Sequence, residues 1–165
     1  MARFGQRAGG GFNPLDDLEI LFRANDWRFD RAGEGELVTE TPGNWCDHRL
    51  SFIWRPELQA LSLVCGFGVR PPEARRADLA LLLARVNARM WIGHFVLDGE
   101  DGGLAYRYTL PFGRAMAEDG VMQDMLDVAV AECERFYPAF QLLLWGGRSP
   151  EQALAEALPD CAGHA

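Results

Sequence analysis

A helix that is apolar on two opposite sides is the feature that most constrains this chain. This helix lies at the start of the stretch from Pro71 to Phe112. Its apolar residues form two stripes on opposite faces, and charged residues lie between the stripes. Because the apolar surface of a helix must be covered, each stripe needs something to pack against. The first stripe comprises Leu79, Leu82, Leu83, Val86 and Met90, and the second comprises Ala77, Leu81, Ala84 and Ala88.

The second stripe predicts an interface. Alanine is a common filler of helices, so Ala77, Ala84 and Ala88 alone would indicate little. Leu81 at their centre indicates a covered surface, with the cover supplied by the chain's own terminal helices or by a second copy. We therefore predict a homodimer to which this face or a sheet edge contributes, since twofold dimers are the commonest closed assembly.

The first part of the chain predicts one helix and four strands. Asn13 followed by Pro14 is typical of a helix N-terminus, and apolar residues at helical spacing extend the helix to Ala24. Alternation of apolar and polar residues then predicts two hairpins. Their strands are expected within residues 27–30, 36–41, 44–55 and 58–68.

Beyond the two-faced helix, which Gly93 is expected to end, the sequence predicts a hairpin and further helices. The hairpin and the third helix cover residues 94–98, 104–110 and 119–137. Pro138 must kink or interrupt the chain after this helix, and Ser149 with Gln152 forms the capping box of a last helix. The predicted order is α-β-β-β-β-α-β-β-α-α, an α+β fold in which a twisted antiparallel β-sheet packs against helices.

The composition is that of one soluble globular domain. The chain has 165 residues, of which 48% are hydrophobic and 24% are charged. We expect a single domain over residues 13–158. A flexible N-terminal tail, rich in Gly and Arg, is predicted for residues 1–12, and a short C-terminal tail for residues 159–165.

The charge of the chain disfavours some classes of partner. Its formal net charge of −8 repels nucleic acid and anionic membranes. The apolar run from Leu79 to Ala84 is too short to span a bilayer, and the first twelve residues lack the apolar core of a secretory signal. We therefore expect a cytoplasmic protein with no nucleic-acid or membrane partner.

Three residues with metal-binding or nucleophilic chemistry share one face of the second hairpin. They are Cys46, His48 and Cys65. With Pro56-Glu57 as the turn, the pairs are Phe52 with Leu61, Leu50 with Leu63, His48 with Cys65 and Cys46 with Phe67. Zinc needs three or four ligands, a fourth is missing nearby, and the same face is otherwise apolar. We therefore predict a packed core here, with no catalytic residue, no metal and no cofactor.

One tryptophan is a candidate for an exposed binding residue. Trp45 lies on the opposite face of its predicted strand from the apolar stripe that contains Trp54. Aromatic residues dominate many binding interfaces, and tryptophan is often only partly buried. We therefore predict Trp45 to be an exposed aromatic side chain.

Four stretches of the sequence resemble YbjN-domain proteins, a family associated with bacterial sensory transduction. They are Asn13 to Leu18, Val86 to Phe95, Leu104 to Tyr108 and Ser149 to Leu154. The resemblance implies a fold similar to that of type III secretion chaperones, a dimeric assembly and no catalytic residues. It gives no site to transfer onto particular positions.

Together these observations favour a non-enzymatic, dimeric adaptor or chaperone-like protein that binds a protein segment in signalling or stress regulation. Its mechanism would be burial of a partner's amphipathic helix or strand against an apolar groove or a sheet edge. The alternative is a small-molecule sensor with a pocket between the sheet and the helices. An enzyme built on Cys46 and His48 is a third possibility, which the apolar surroundings of these residues disfavour.

Overall fold

The computed structural model describes residues 12–98, 102–112 and 120–158. These residues form four α-helices and six strands in the predicted order, which confirms the α+β class. The elements are α1 (Pro14–Ala24), β1 (Phe29–Ala32), β2 (Glu36–Thr41), β3 (His48–Arg55), β4 (Ala60–Gly66), α2 (Arg76–Asn87), β5 (His94–Asp98), β6 (Gly103–Pro111), α3 (Val121–Leu144) and α4 (Pro150–Ala157). A 3₁₀ turn, Glu73–Arg75, leads into α2.

Two of the helix starts follow directly from local sequence. The side chain of Asn13 caps α1 by accepting a hydrogen bond from the backbone N–H of Leu15 at 3.0 Å. Ser149 and Gln152 form the predicted capping box at the start of α4. Pro occupies the first turn of each helix, where its missing N–H costs nothing.

The six strands form one antiparallel sheet in the order β1-β2-β3-β4-β6-β5. Residues alternate between buried and more exposed along β3 and β4, so one face of the sheet is buried. The helices contact β3, β4, β5 and β6, and together they supply the cover for that face. The result is a two-layer molecule whose core lies between the sheet and the helices.

The predicted register of the second hairpin was wrong by two residues. Leu50 pairs with Cys65, and Arg55 pairs with Ala60, so the loop has four residues rather than two. A two-residue hairpin turn needs a positive φ that Pro56 cannot adopt. The longer loop places its positive φ of 46° at Gln59 instead. A slip of two residues leaves each side chain on its original face, so the apolar face was predicted correctly.

The two-faced helix ends earlier than predicted. α2 stops at Asn87, and the following backbone N–H groups of Arg89 and Met90 donate to Val86 and Asn87. These bonds span three residues, so they tighten the last turn and end the helix. Gly93 lies instead in a separate turn, with a φ of +67°.

The third helix continues through Pro138 to Leu144, although the sequence predicted a kink or interruption there. Proline removes one backbone hydrogen bond, but the apolar residues beyond it are buried in the core and hold the last turns in place. The predicted start of this helix at Asp119 lies outside the described residues.

Parts of the predicted tails and loops also lie outside the described residues. They are residues 1–11, 99–101, 113–119 and 159–165. Phe12, which was assigned to the N-terminal tail, packs its ring against Trp54 and Phe112, with centroid distances of 6.1 and 5.5 Å.

Candidate functional site

A turn between α2 and β5 presents the most exposed large apolar side chain among the described residues. Trp91 is 100% exposed, and the neighbouring Ile92 is 43% exposed. Burying a tryptophan side chain is strongly favourable, so a fully exposed one forgoes that stabilisation. Trp91 and Ile92 are adjacent and both exposed, which makes this turn a candidate for an interaction site.

This turn has a fixed conformation. The hydroxyl of Tyr106 donates a hydrogen bond to the carbonyl oxygen of Ile92 at 3.0 Å. Burial raises the pKa of Tyr106, so the hydroxyl keeps its proton at neutral pH. Gly93 has a φ of +67°, and a Cβ atom there would lie 2.2 Å from the Tyr106 hydroxyl oxygen. The turn is therefore held by a buried tyrosine and requires glycine at its last position.

The start of β5 is held by Asn87, the last residue of α2. Its side-chain oxygen accepts from the backbone N–H of Phe95 at 2.8 Å, and its side-chain nitrogen donates to the Phe95 carbonyl at 3.0 Å. These two groups of Phe95 point away from β6, so the Asn87 amide takes the place of a neighbouring strand. The edge of β5 is therefore closed to strand pairing at Phe95.

Beyond the point where β5 begins, none of the described strands pairs with the outer edge of β6. β5 pairs with β6 only from Gly103 to Arg107, whereas β6 continues to Pro111. The backbone N–H of Phe112 donates to Gln59, on the β4 side, so alternate residues of β6 direct their backbone groups to the opposite side. Thr109 is one of these residues, and among the described elements no strand pairs with β6 beside it.

A groove of about 480 Å³ lies between this open edge and the exposed turn. Its walls are Trp91 to His94 on one side and Arg107 to Pro111 on the other. It therefore combines an apolar wall with a row of backbone groups. We call it the edge groove.

The predicted interface on α2 is exposed. Ala77, Leu81, Ala84 and Ala88 all face solvent, and Leu81 is 46% exposed. α4 packs against α2 but leaves this stripe uncovered, so within the described residues the chain's own helices do not supply the expected cover. Trp45 is 52% exposed, and its role in binding stays a prediction.

The edge groove was not predicted from the sequence. Residues Trp91 to His94 were identified as the end of the two-faced helix, but no local sequence pattern indicated how their side chains would be arranged. The groove exists because β5 has five residues and β6 has nine. That mismatch in length could have been read from the predicted hairpin, since residues 104–110 outnumber residues 94–98.

A second cluster lies in the core, between the sheet and α3. One ligand atom from each of His48, Cys65 and Cys133 lies within 4.8 Å of the others. All three side chains are fully buried. The sequence pattern grouped His48 and Cys65 with Cys46. In the structure the third member of the cluster is Cys133, which is far away along the chain, and not Cys46.

Glu134 completes the surroundings of His48. Its Oε1 atom lies 2.6 Å from His48 Nε2 and accepts a hydrogen bond from the backbone N–H of Asn44 at 3.0 Å. A Cβ atom on Gly43 would lie 2.3 Å from that oxygen and 2.4 Å from Nε2, so glycine is required beside the pair. The Pro42-Gly43 turn therefore lets the loop approach the buried histidine closely.

The electrostatics of the cluster favour a charged imidazole beside a thiolate. Interaction with Cys65, ahead of that with Glu134, raises the pKa of His48 to about 9 against the effect of burial. The hydrogen bond with Cys133, together with His48, lowers the pKa of Cys65 to about 6. Burial raises the pKa of Cys133. His48 Nδ1 nevertheless has no hydrogen-bond partner of ordinary geometry among the described residues.

Cys46 has a different environment from the three clustered residues. It is only partly buried and lies outside the group of ligand atoms within 4.8 Å. Burial raises the pKa of its thiol, and Tyr137 is its hydrogen-bond partner. A neutral thiol is a poor nucleophile, so the structure gives no support to a catalytic role for Cys46.

The sheet, its single layer of helices and the exposed turn define a two-layer α+β protein. None of the helices in the described ranges has the length and apolar character needed to cross a bilayer. The sequence model of the YbjN family, described as "Putative bacterial sensory transduction regulator", matches residues 14–142. The chain therefore belongs to the YbjN family.

A solved structure shows the same fold. The crystal structure of "YbjN, a putative transcription regulator from E. coli" aligns with a TM-score of 0.57 and 13% sequence identity. The alignment covers 73% of this chain and 85% of that chain. No curated protein matches the sequence. The similarity to type III secretion chaperones stays a prediction.

Proposed function

We propose that this chain is a non-enzymatic, cytoplasmic adaptor that binds an extended segment of a partner protein at the edge groove. The observation that carries the proposal is a fully exposed tryptophan on a fixed turn, next to a strand edge that has no partner strand within the described ranges. The description of the family as regulators of sensory transduction supports a role in signalling.

The chemistry of the groove favours an extended peptide. Thr109 directs a backbone N–H and a carbonyl into the groove, and these groups can pair with a peptide as they would with a strand. Trp91 and Ile92 form an apolar wall against which one or two side chains of such a peptide can pack. A partner helix would satisfy its own backbone groups and would leave those of Thr109 unused.

Fixation of the turn favours tight binding. Ordering a mobile side chain or loop upon association reduces affinity. Here Gly93 and the Tyr106 hydroxyl already hold the backbone that carries Trp91. The net charge of −8 also favours a partner segment with a neutral or basic sequence, because opposite charges speed encounter.

The test is selection from a library of random linear peptides displayed on phage, followed by affinity measurement with synthetic peptides. We expect peptides with alternating apolar residues, and Trp91→Ser should weaken their binding by about tenfold or more, as expected for an interface tryptophan. Trp145→Ser is the matched control, because Trp145 is also largely exposed but lies at the end of α3.

Two results would contradict the proposal. One is selection of peptides whose affinity is unchanged by Trp91→Ser. The other is an equal loss of affinity in both tryptophan variants, which would indicate nonspecific apolar contact.

We propose in addition that the chain is a homodimer through the exposed stripe of α2. Leu81 and the surrounding alanines form an exposed apolar stripe on one face of α2, and such a stripe can pack against the same stripe of a second copy. The alternative function, a small-molecule sensor with a pocket between the sheet and the helices, stays a prediction. A second open groove, of about 1060 Å³, lies beside β1 and β2 rather than between those layers.

A further inference from the structure

We propose that His48, Cys65 and Cys133 form a binding site for one zinc ion. The three residues come from β3, β4 and α3, so the site joins the centre of the sheet to the helix that covers it. This departs from the expectation of no metal, which rested on the missing fourth ligand and on the apolar face around Cys46, His48 and Cys65.

The donor set is suited to zinc. Two thiolates and one imidazole are ligands that zinc prefers, whereas calcium and magnesium bind through oxygen. One donor atom from each residue lies within 4.8 Å of the other two, so small side-chain rotations would bring all three to a common ion. All three residues are fully buried, so a bound ion would be shielded from solvent.

The orientation of His48 provides independent support. Its Nε2 atom is engaged by Glu134 Oε1 at 2.6 Å, so Nδ1 is the nitrogen left to coordinate an ion. Nδ1 is buried, and no described residue forms a hydrogen bond of ordinary geometry with it, although interaction with Cys65 raises the pKa of His48. Histidines that bind zinc commonly donate their other ring N–H to a carboxylate, which fixes the ring and makes it a better ligand. Glu134 is placed for this role.

The buried Nδ1 atom of His48 gives a thermodynamic reason for this site to bind an ion. A buried polar atom with no partner destabilises a fold, and His48 Nδ1 is such an atom. A zinc ion would bind that nitrogen and both cysteine sulfurs, and Cys133 would release its proton on binding. Three protein ligands leave the fourth tetrahedral position to a water or another small ligand, which here would be buried together with the ion.

The test is metal analysis of protein purified without a histidine tag, in reducing buffer and after incubation with zinc chloride and gel filtration. We expect about one zinc per chain. Cobalt should replace it and give the absorption bands of a tetrahedral thiolate site. These readouts do not depend on any peptide, so they are separate from the test of the edge groove.

Variants identify the ligands. Cys65→Ala and Cys133→Ala should each abolish stoichiometric binding, whereas Cys46→Ala, the matched control, should retain it. Glu134→Gln should weaken zinc affinity by about 10- to 100-fold without changing the stoichiometry at saturation. If an alanine variant does not fold, the cobalt spectrum of the unmodified protein decides, since it reports thiolate ligation directly.

The proposal would be overturned by two results. The first is less than about a tenth of an equivalent of zinc in the reduced, folded protein. The second is stoichiometric zinc binding by both the Cys65→Ala and the Cys133→Ala variants, together with a cobalt-substituted protein that lacks thiolate absorption bands.

Discussion

The position of the exposed tryptophan depends on two single residues, Gly93 and Tyr106. Gly93 supplies a positive φ of +67°, and its missing side chain leaves room for the tyrosine ring. The tyrosine hydroxyl in turn holds the carbonyl of Ile92. At this scale a few atoms decide whether Trp91 is presented on a fixed turn or on a mobile one.

Replacement of Gly93 by alanine should therefore destabilise the protein by about 1–3 kcal/mol, because both the backbone strain and the contact with Tyr106 must be relieved. Chemical denaturation measures the change. Gly33→Ala is the control, because Gly33 has a similar φ of +71° but nothing within 4 Å of the added atom.

Gly33→Ala should cost only the backbone strain, roughly 1–2 kcal/mol. The difference between the two variants isolates the contact with Tyr106. Equal losses in both would show that the tyrosine ring does not constrain the turn.

At the scale of elements, the helices and strands could be predicted from local patterns, whereas their register could not. Apolar faces recur every two residues in a strand, so a slip of two residues in the β3–β4 hairpin satisfied the same pattern. The informative residue was Pro56, whose fixed φ is incompatible with the short turn that the prediction used. Pro56 excludes the two-residue turn only when the φ angles that such a turn requires are taken into account.

The two candidate sites differ in how far local sequence patterns could have revealed them. Cys133 joins His48 and Cys65 only because α3 crosses the sheet at that point, and no spacing in the sequence encodes the crossing. The edge groove, by contrast, forms within one hairpin and the turn before it, because β5 and β6 differ in length. Only the cluster of His48, Cys65 and Cys133 depends on the packing of elements that are distant along the chain.

The junction of α2 and β5 leads to a prediction at this scale. Asn87→Ala removes two hydrogen bonds to Phe95 and should destabilise the protein by about 1–3 kcal/mol. It also opens the edge of β5, so the variant should associate at high concentration. Thermal denaturation and light scattering measure the two effects.

Asn25→Ala is the control for this change. Asn25 donates to the carbonyl of Leu21 at an exposed helix end, so its loss should cost less and leave the edge closed. A fully soluble Asn87 variant with unchanged stability would indicate that the Asn87 amide does not protect the edge.

At the scale of the whole molecule, assembly and partner binding are assigned to different sets of residues. The stripe of α2 around Leu81 would join two copies, and the edge groove would remain open to a partner. A dimer would carry two edge grooves, one on each chain. A partner with two binding segments could occupy both and would bind more tightly than a partner with one segment. Because the two sets of residues differ, dimer formation and partner binding can be tested with separate variants.

The dimer should dissociate when a charge enters its interface. Leu81→Asp is expected to yield a monomer by light scattering at tens of micromolar, because a carboxylate is costly to bury between two helices. Leu58→Asp is the control, since Leu58 is largely exposed in the loop between β3 and β4. A monomeric unmodified protein, or a Leu81→Asp variant that remains a dimer, would contradict this assignment.

The central claim is that a partner segment pairs with the open edge of β6, and amide hydrogen exchange at Thr109 tests it most directly. In the free protein the Thr109 amide should exchange rapidly, because no strand pairs with it among the described elements. Addition of a selected peptide should slow that exchange and shift the resonance of the Trp91 side chain. An unchanged Thr109 amide in the presence of a saturating peptide would contradict the account.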